Sequence, residues 1–326
     1  MKKHKICKIL LVILAIFLCV AFYELLGICV AYKKQPEVSN TTKKETKNGS
    51  WNECSENTER AVIIEKNPEA LLQRVRLIKN AKKEIILSTF AFQSDESGKL
   101  ILGALHDAAD RGVHIRLLVD GMESWIDMEG NPYFYGLSSH ENVEIKLYNK
   151  ANPLKPWKMM GRMHDKYLIA DGKRYILGGR NTYNYFLGDF PGHKNYDRDV
   201  LVVCDEPEKE NSVNQLLEYF ETIWEQEDSG YFHDNKKLAN RKSVKNAVLE
   251  LQNGYQKYFE ENKERICQTN YTDETFETEK ITLVSNPIHT GSKEPVVWYQ
   301  LGELMKNAKN RVKIHTPYII CNDMDK

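Results

Sequence analysis

The sequence predicts an α/β layered lobe, followed by the start of a second lobe and preceded by a membrane helix. Three observations carry that reading. Strand-like and helix-like segments alternate between residues 67 and 224, a helix–strand junction recurs late in the chain, and residues 9–31 are almost wholly apolar. Alternation of this kind implies a sheet covered by helices.

The elements follow in order. Residues 9–31 are long enough to span a bilayer, are interrupted by Glu24, and follow Lys2, Lys3, Lys5 and Lys8. An uncleaved anchor over residues 1–32 is the preferred reading. A cleaved signal peptide competes with it, as does lipid modification of Cys29. Lysines flank the segment on both sides, so the positive-inside rule does not fix its orientation. Residues 33–60 are polar and without periodicity, and read as a tether.

The lobe is expected over residues 61–230. Residues 67–83 carry Leu71, Leu72, Val75, Leu77 and Ile78 on one helical face, residues 84–92 are strand-like, 98–111 helical and 113–119 a second strand. Residues 143–147 form a third strand. Residues 200–203 precede a helix through Leu216, Leu217, Tyr219, Phe220 and Trp224. Residues 231–280 are polar and helical, an expected connection between lobes.

Charge is balanced, with 46 Lys and Arg against 46 Asp and Glu. Residues 1–34 hold six lysines and one acid, a net of +5, so the remainder carries −5. A chain that is not basic as a whole is a poor non-specific DNA binder. Among the seven cysteines no close pair has metal-ligand spacing, so no zinc site is expected.

The chemistry concentrates in residues 161–181. His164, Lys166 and Asp171 stand in an H-x-K-x4-D pattern, followed by Gly178, Gly179 and Asn181. Residues 166–170 read as a strand, Asp171-Gly172 as a turn and 174–177 as the returning strand. On a strand, His164 and Lys166 share a face, so both reach one phosphate. The two glycines let the backbone approach a bulky ligand, and Asn181 offers a neutral donor. Lys150, Lys155, Lys158 and Arg162 add a basic approach. Trp157, Met159 and Met160 lie among them. The preferred reading there is a loop packing on the core, with contact to acyl chains as the alternative.

This pattern resembles the signature of the phospholipase D superfamily, and the neighbouring residues, with Asp197-Arg-Asp199, look most like its bacterial cardiolipin synthase branch. The resemblance implies a phospholipase D-like lobe, a mixed sheet flanked by helices, and chemistry that needs no metal or other cofactor. His164 would be the nucleophile forming a phosphohistidine. Lys166, Asn181 and Gly179 would bind the phosphate. Asp199, or Asp197 as runner-up, would orient the imidazole. Asp171 belongs to the pattern and is included among the candidate catalytic residues, although a structural carboxylate is the reading favoured for it. The implied substrate is a phospholipid, the implied setting a single-pass anchor in the cell membrane with the catalytic part outside. A nuclease-like phosphodiesterase is the alternative activity.

The superfamily builds one site from two such motifs, and this sequence holds one. Residues 77–89 (LIKNAKKEIILST) align with 304–316 (LMKNAKNRVKIHT), an offset of 227. A second histidine at that offset falls at about position 391, beyond Lys326. Residues 281–326 therefore read as the start of a second lobe, with a strand over 312–319. The favoured explanation is a piece of a longer protein whose C-terminal lobe brings the second motif. The others are a homodimer supplying it across a two-fold axis, or a half-site that binds phosphate without turnover.

Overall fold

The computed structural model describes residues 2–31, 33–49, 59–204, 206, 211–233 and 235–314. It divides into two compact units, the larger holding Met1–Lys34, Cys54–Leu283 and Ile288–Ser292. The chain begins with α1 (Lys2–Ala31), followed by α2 (Asn40–Asn48), β1 (Glu59–Ile64), α3 (Asn67–Asn80), β2 (Glu84–Thr89) and α4 (Glu96–Asp110). Next come β3 (His114–Asp120), α5 (Gly121–Asp127), α6 (Pro132–Ser138), β4 (Val143–Tyr148), β5 (Tyr167–Ala170), β6 (Arg174–Gly178) and β7 (Asp199–Cys204). The order closes with α7 (Ser212–Trp224), β8 (Ser229–Tyr231), α8 (Lys242–Glu261), α9 (Lys263–Cys267), β9 (Phe276–Glu277) and α10 (Val296–Lys306).

The described strands form one mixed sheet in the order β8-β4-β3-β2-β5-β6-β7-β1-β9. β2, β3 and β4 run parallel, while β5 to β7 return antiparallel. Successive side chains on a strand face opposite ways, and here both faces are covered. Ile85, Leu87, Leu117, Leu168, Ile176 and Leu201 pack on the side of α3, α4 and α8. Ile86, Leu118, Tyr167, Ile169 and Val202 pack on α7 through Leu216, Phe220 and Trp224. Strands buried on both faces read as continuous apolar runs, which is why 85–87 and 167–170 lack alternation.

Two expectations change. The stretch 231–280 is not merely a connection between lobes. α8 buries Val244, Ala247, Leu251, Tyr255 and Phe259, spaced three or four apart, against the lobe. A β-carbon at Gly103 of α4 would lie 2.7 Å from both the Leu251 carbonyl and the Tyr255 side chain, so glycine lets α4 and α8 close up. Arg76 of α3 then ties down the chain beyond α9, donating to the Gln268 and Asn270 carbonyls and to Glu274. The polar composition that suggested a linker belongs to the outward face of an amphipathic helix.

The second change lies in the smaller unit, formed by Gln35–Glu53, Val284–Pro287 and Lys293–Lys326. Residues expected to be an unstructured tether include α2, capped by Ser39, whose hydroxyl accepts from the Thr42 amide. The Glu294 carboxylate accepts from the Ser39 amide at 2.8 Å and the Thr42 hydroxyl at 2.7 Å. The expected helix before the repeated junction is present as α10. The strand expected over 312–319 lies outside the described residues from 315 onward, and 312–314 have no regular structure.

α1 is long and apolar enough to cross a membrane over Lys5–Ala31. The end of the sheet that holds the carboxyl ends of β2, β3 and β6 also holds the amino ends of β5 and β7. The sequence motif converges there.

Candidate active site

The site is built from Asp120, the last residue of β3 and the cap of α5. It is 1% exposed, and a buried carboxylate needs partners. Its oxygens accept from Arg162 Nε at 2.8 and 3.0 Å, from the Met163 amide at 3.0 Å and from the Met122 amide at 3.0 Å. Arg162 also reaches Glu123 at 3.1 Å. Asp120 thereby fixes the backbone immediately before His164.

His164 and Lys166 lie in irregular chain just ahead of β5, rather than within it. Both side chains meet the ring of Phe90, which follows β2. The imidazole packs edge-on, with centroids 4.6 Å apart, and the Lys166 ammonium lies 5.3 Å from the same centroid. The Arg162 guanidinium lies 5.0 Å from it. Neither imidazole nitrogen makes a hydrogen bond among the described residues. The residue is exposed to solvent, yet lost hydration around the ring pushes its pKa below the ordinary histidine value, and the Lys166 charge lowers it further. Lys166 is buried; its Nζ donates to the His164 carbonyl at 2.6 Å. Burial brings its pKa down to about 8, against the opposing charges of Asp165 and Asp197.

Asn181 is buried against Ala91, the residue after Phe90. Its Oδ1 accepts from the Ala91 amide at 3.2 Å, which leaves the two N–H donors of the side chain without a partner among the described residues. The expected roles of the two glycines change. A β-carbon at Gly178 would collide with the Asp199 carboxylate, and one at Gly179 with that of Asp197. Their bareness admits these acids rather than a ligand.

Asp199 is 2% exposed and does not meet His164. Its Oδ2 accepts from Arg74 Nη1 at 2.9 Å and lies 3.2 Å from Arg180 Nη1, while Oδ1 has no hydrogen-bond partner among the described residues. Asp197 is half-buried and accepts from the Arg198 amide at 2.7 Å. Neither carboxylate orients the imidazole in this structure. Both side chains are instead held where β6 and β7 meet.

Asp171 is at the far end of β5 and away from the site. Its φ is +54° and that of Gly172 is +61°, as a type I′-like turn requires. The Asp171 carboxylate accepts from the backbone amides of Lys82, Lys83 and Glu84 at 2.7 to 3.1 Å. It staples the α3–β2 turn to the β5–β6 hairpin. Asp171→Ala should lower stability by about 2 kcal/mol, through unmade hydrogen bonds and a left-handed backbone that alanine tolerates poorly. Chemical denaturation checks this, and Asp171→Asn should recover part of the loss.

The basic approach is partly neutralised by the protein itself. Lys158 pairs with Asp228 at 2.7 Å and Arg162 with Asp120, whereas Lys150 keeps its charge while donating to the Tyr231 carbonyl at 2.6 Å and Lys155 is exposed. Sequence reasoning missed Phe90, Asp120, Arg74 and Arg180. Only Arg180 had a local signal, because it stands inside the Gly178–Asn181 motif.

The mixed sheet, with an H-x-K pair at the converging strand ends, defines a phospholipase D-like lobe. Residues 74–224 match the family model described as cardiolipin synthase, PLD-like domain. Over these residues the chain is similar to the phospholipase D superfamily. An uncharacterized protein of Helicobacter pylori is 31% identical over 206 residues, 59% of this chain and 38% of its own. Cardiolipin synthase C of Escherichia coli is 29% identical over 171 residues, 48% of this chain and 34% of its own. A solved phosphatidylserine synthase of Haemophilus influenzae is 17% identical with a TM-score of 0.45, over 68% of this chain and 48% of that one. The chain spans 28% to 38% of the length of the first three curated relatives it matches.

Proposed function

We propose that this protein is a membrane-anchored phosphodiesterase or phosphatidyltransferase of cardiolipin synthase type, acting through a phosphohistidine on His164. The observation that carries the reading is the shared Phe90 ring: an unengaged imidazole and a buried ammonium are held on it together. A ring nitrogen of His164 attacks the phosphorus of a phosphodiester. The nitrogen–phosphorus bond forms as the bond to the leaving alcohol breaks. Lys166 and the free N–H groups of Asn181 bind the non-bridging oxygens, where charge builds. The leaving alcohol then takes a proton from a second histidine, brought by another copy of the motif on a further lobe or chain. That histidine removes the proton of the acceptor alcohol or water that releases the product. α1 would hold this site beside its lipid substrate, and we place the lobe on the extracytoplasmic side.

The proposal is tested by incubating the purified full chain with phosphatidylglycerol vesicles and separating the lipid products. Parallel incubation with single-stranded DNA distinguishes a nuclease. Transfer or hydrolysis of lipid supports the reading; cleavage of DNA with lipid untouched overturns it.

The pH dependence has a definite sign. His164 titrates low, so the attacking imidazole stays neutral below the usual histidine range. Lys166 is cationic below its pKa of about 8 and neutral above. Activity should therefore fall as pH rises through about 8. In Lys166→Arg the guanidinium stays charged, so the variant should be slower but should lose that basic limb. A basic limb unchanged in Lys166→Arg would exclude Lys166 as its source.

A further inference from the structure

We propose that the loop 149–161 is a bilayer-seated edge, inserting Leu154, Trp157 and Met160 into the boundary between phospholipid headgroups and acyl chains. The inference rests on the anchor reading above and specifies how the lobe sits on the lipid. These three side chains are 78%, 45% and 57% exposed, which an ordinary core-packing loop does not produce. The loop is nonetheless well held. Asn149 Nδ2 donates to the carbonyls of Lys158 and Gly161 at 2.7 and 2.8 Å, and Lys158 is fixed by Asp228. A rigid loop displaying a tryptophan, a leucine and a methionine among lysines has the composition of a membrane-interface contact.

What identifies a bilayer as the occupant is the neighbour of this loop. α1 packs on it. The Tyr23 hydroxyl donates to the Leu154 carbonyl at 3.0 Å, and Gly27 lies so close to the Pro156 ring that a β-carbon would clash. Glu24, Gly27, Ile28 and Ala31, at i, i+3, i+4 and i+7 on one helical face, are the partly covered positions near the end of an otherwise exposed helix. The apolar span Lys5–Ala31 has 27 residues. At 1.5 Å per residue it is about 40 Å long, roughly 10 Å more than the hydrocarbon core. Centred in a bilayer, it puts Gly27 about 1.5 Å and Tyr23 about 7.5 Å inside the hydrocarbon boundary. A loop touching both residues lies at the depth where interfacial side chains insert. Lys155, next to Leu154 in the loop, is exposed and suited to lipid phosphates.

The test uses the full chain reconstituted into vesicles of phosphatidylcholine and phosphatidylglycerol. Co-flotation after a carbonate wash first reports whether α1 anchors the chain. Tryptophan emission is then compared between ordinary vesicles and vesicles with brominated acyl chains. The bromine-quenched component should drop about two-fold or more in Trp157→Phe, since an interfacial indole is the one that lipid bromines reach. The double variant Leu154→Asp/Met160→Asp, altered only at exposed positions, should show the same drop while still floating. Flotation with quenching unchanged in both variants overturns the insertion and leaves the anchor standing. A wild-type chain that does not float overturns the anchor reading, and the insertion with it.

Discussion

His164→Ala should abolish phosphoryl transfer, with a loss on the order of 10^4-fold or more, as for other removed nucleophiles. The cleanest substrate is a nitrophenyl phosphodiester. Its phenolate departs without protonation, so the second motif's histidine is not needed for the first step. A half-site would then still form the phosphohistidine on His164 and release a burst of phenolate. The covalent product should survive base and be lost in acid, as a phosphoramidate is. His164 is exposed and its ring makes no hydrogen bond among the described residues, so the variant should unfold within about 0.5 kcal/mol of wild type. That separation matters, because a folded variant with no burst assigns the loss to chemistry. Equal bursts in wild type and variant would remove this histidine from the reaction.

Much of the lobe was legible because its signals are local. The runs 85–87 and 167–170 are apolar and short, and the helix around Leu216 and Phe220 has a clear period, so the layered architecture followed. The H-x-K pair and Asn181 were legible because their spacing is fixed by neighbouring strands. What could not be read depends on residues distant in sequence. Phe90 and His164 are 74 positions apart, and only the pairing of β2 with β5 brings them together. The partnership of Asp120 with Arg162 likewise requires β3 to end beside the approach to β5. Glycine was misjudged for a similar reason: Gly178 and Gly179 face the acids of the next strand, and a one-dimensional pattern does not say what fills the space. α8 was misjudged because five buried residues are diluted among fifteen others in a 20-residue helix.

Asp199→Ala should be among the most damaging substitutions to the fold, costing about 3–5 kcal/mol, as breaking a buried ion pair does. The Arg74, Arg180 and Asp199 side chains are 4%, 0% and 0% exposed. With the carboxylate present the cluster carries a net charge of +1; without it, two guanidiniums face each other away from water. Arg180 keeps donors on the Ile64 and Glu65 carbonyls and on Asn67 Oδ1. Those bonds satisfy its N–H groups but do not cancel its charge. Burial already lowers the pKa of Arg180, and Asp199 is the largest influence holding it up. The loss is a large share of a typical domain's 5–15 kcal/mol, so the urea midpoint should move strongly downward. Asp199→Asn retains an acceptor but not the charge and should fall between alanine and wild type. The double variant Arg180→Met/Asp199→Ala removes one buried cation along with its counter-ion. It should be less destabilised than the two single losses added together, because the partners are coupled. Strict additivity, or a single alanine variant melting with wild type, would show that the three groups do not act as one electrostatic unit. Because β7 begins at Asp199 and pairs with Gly178, loosening this cluster also loosens the strand end that carries Asn181. The damage should therefore extend to phosphate affinity at temperatures where the variant is still folded.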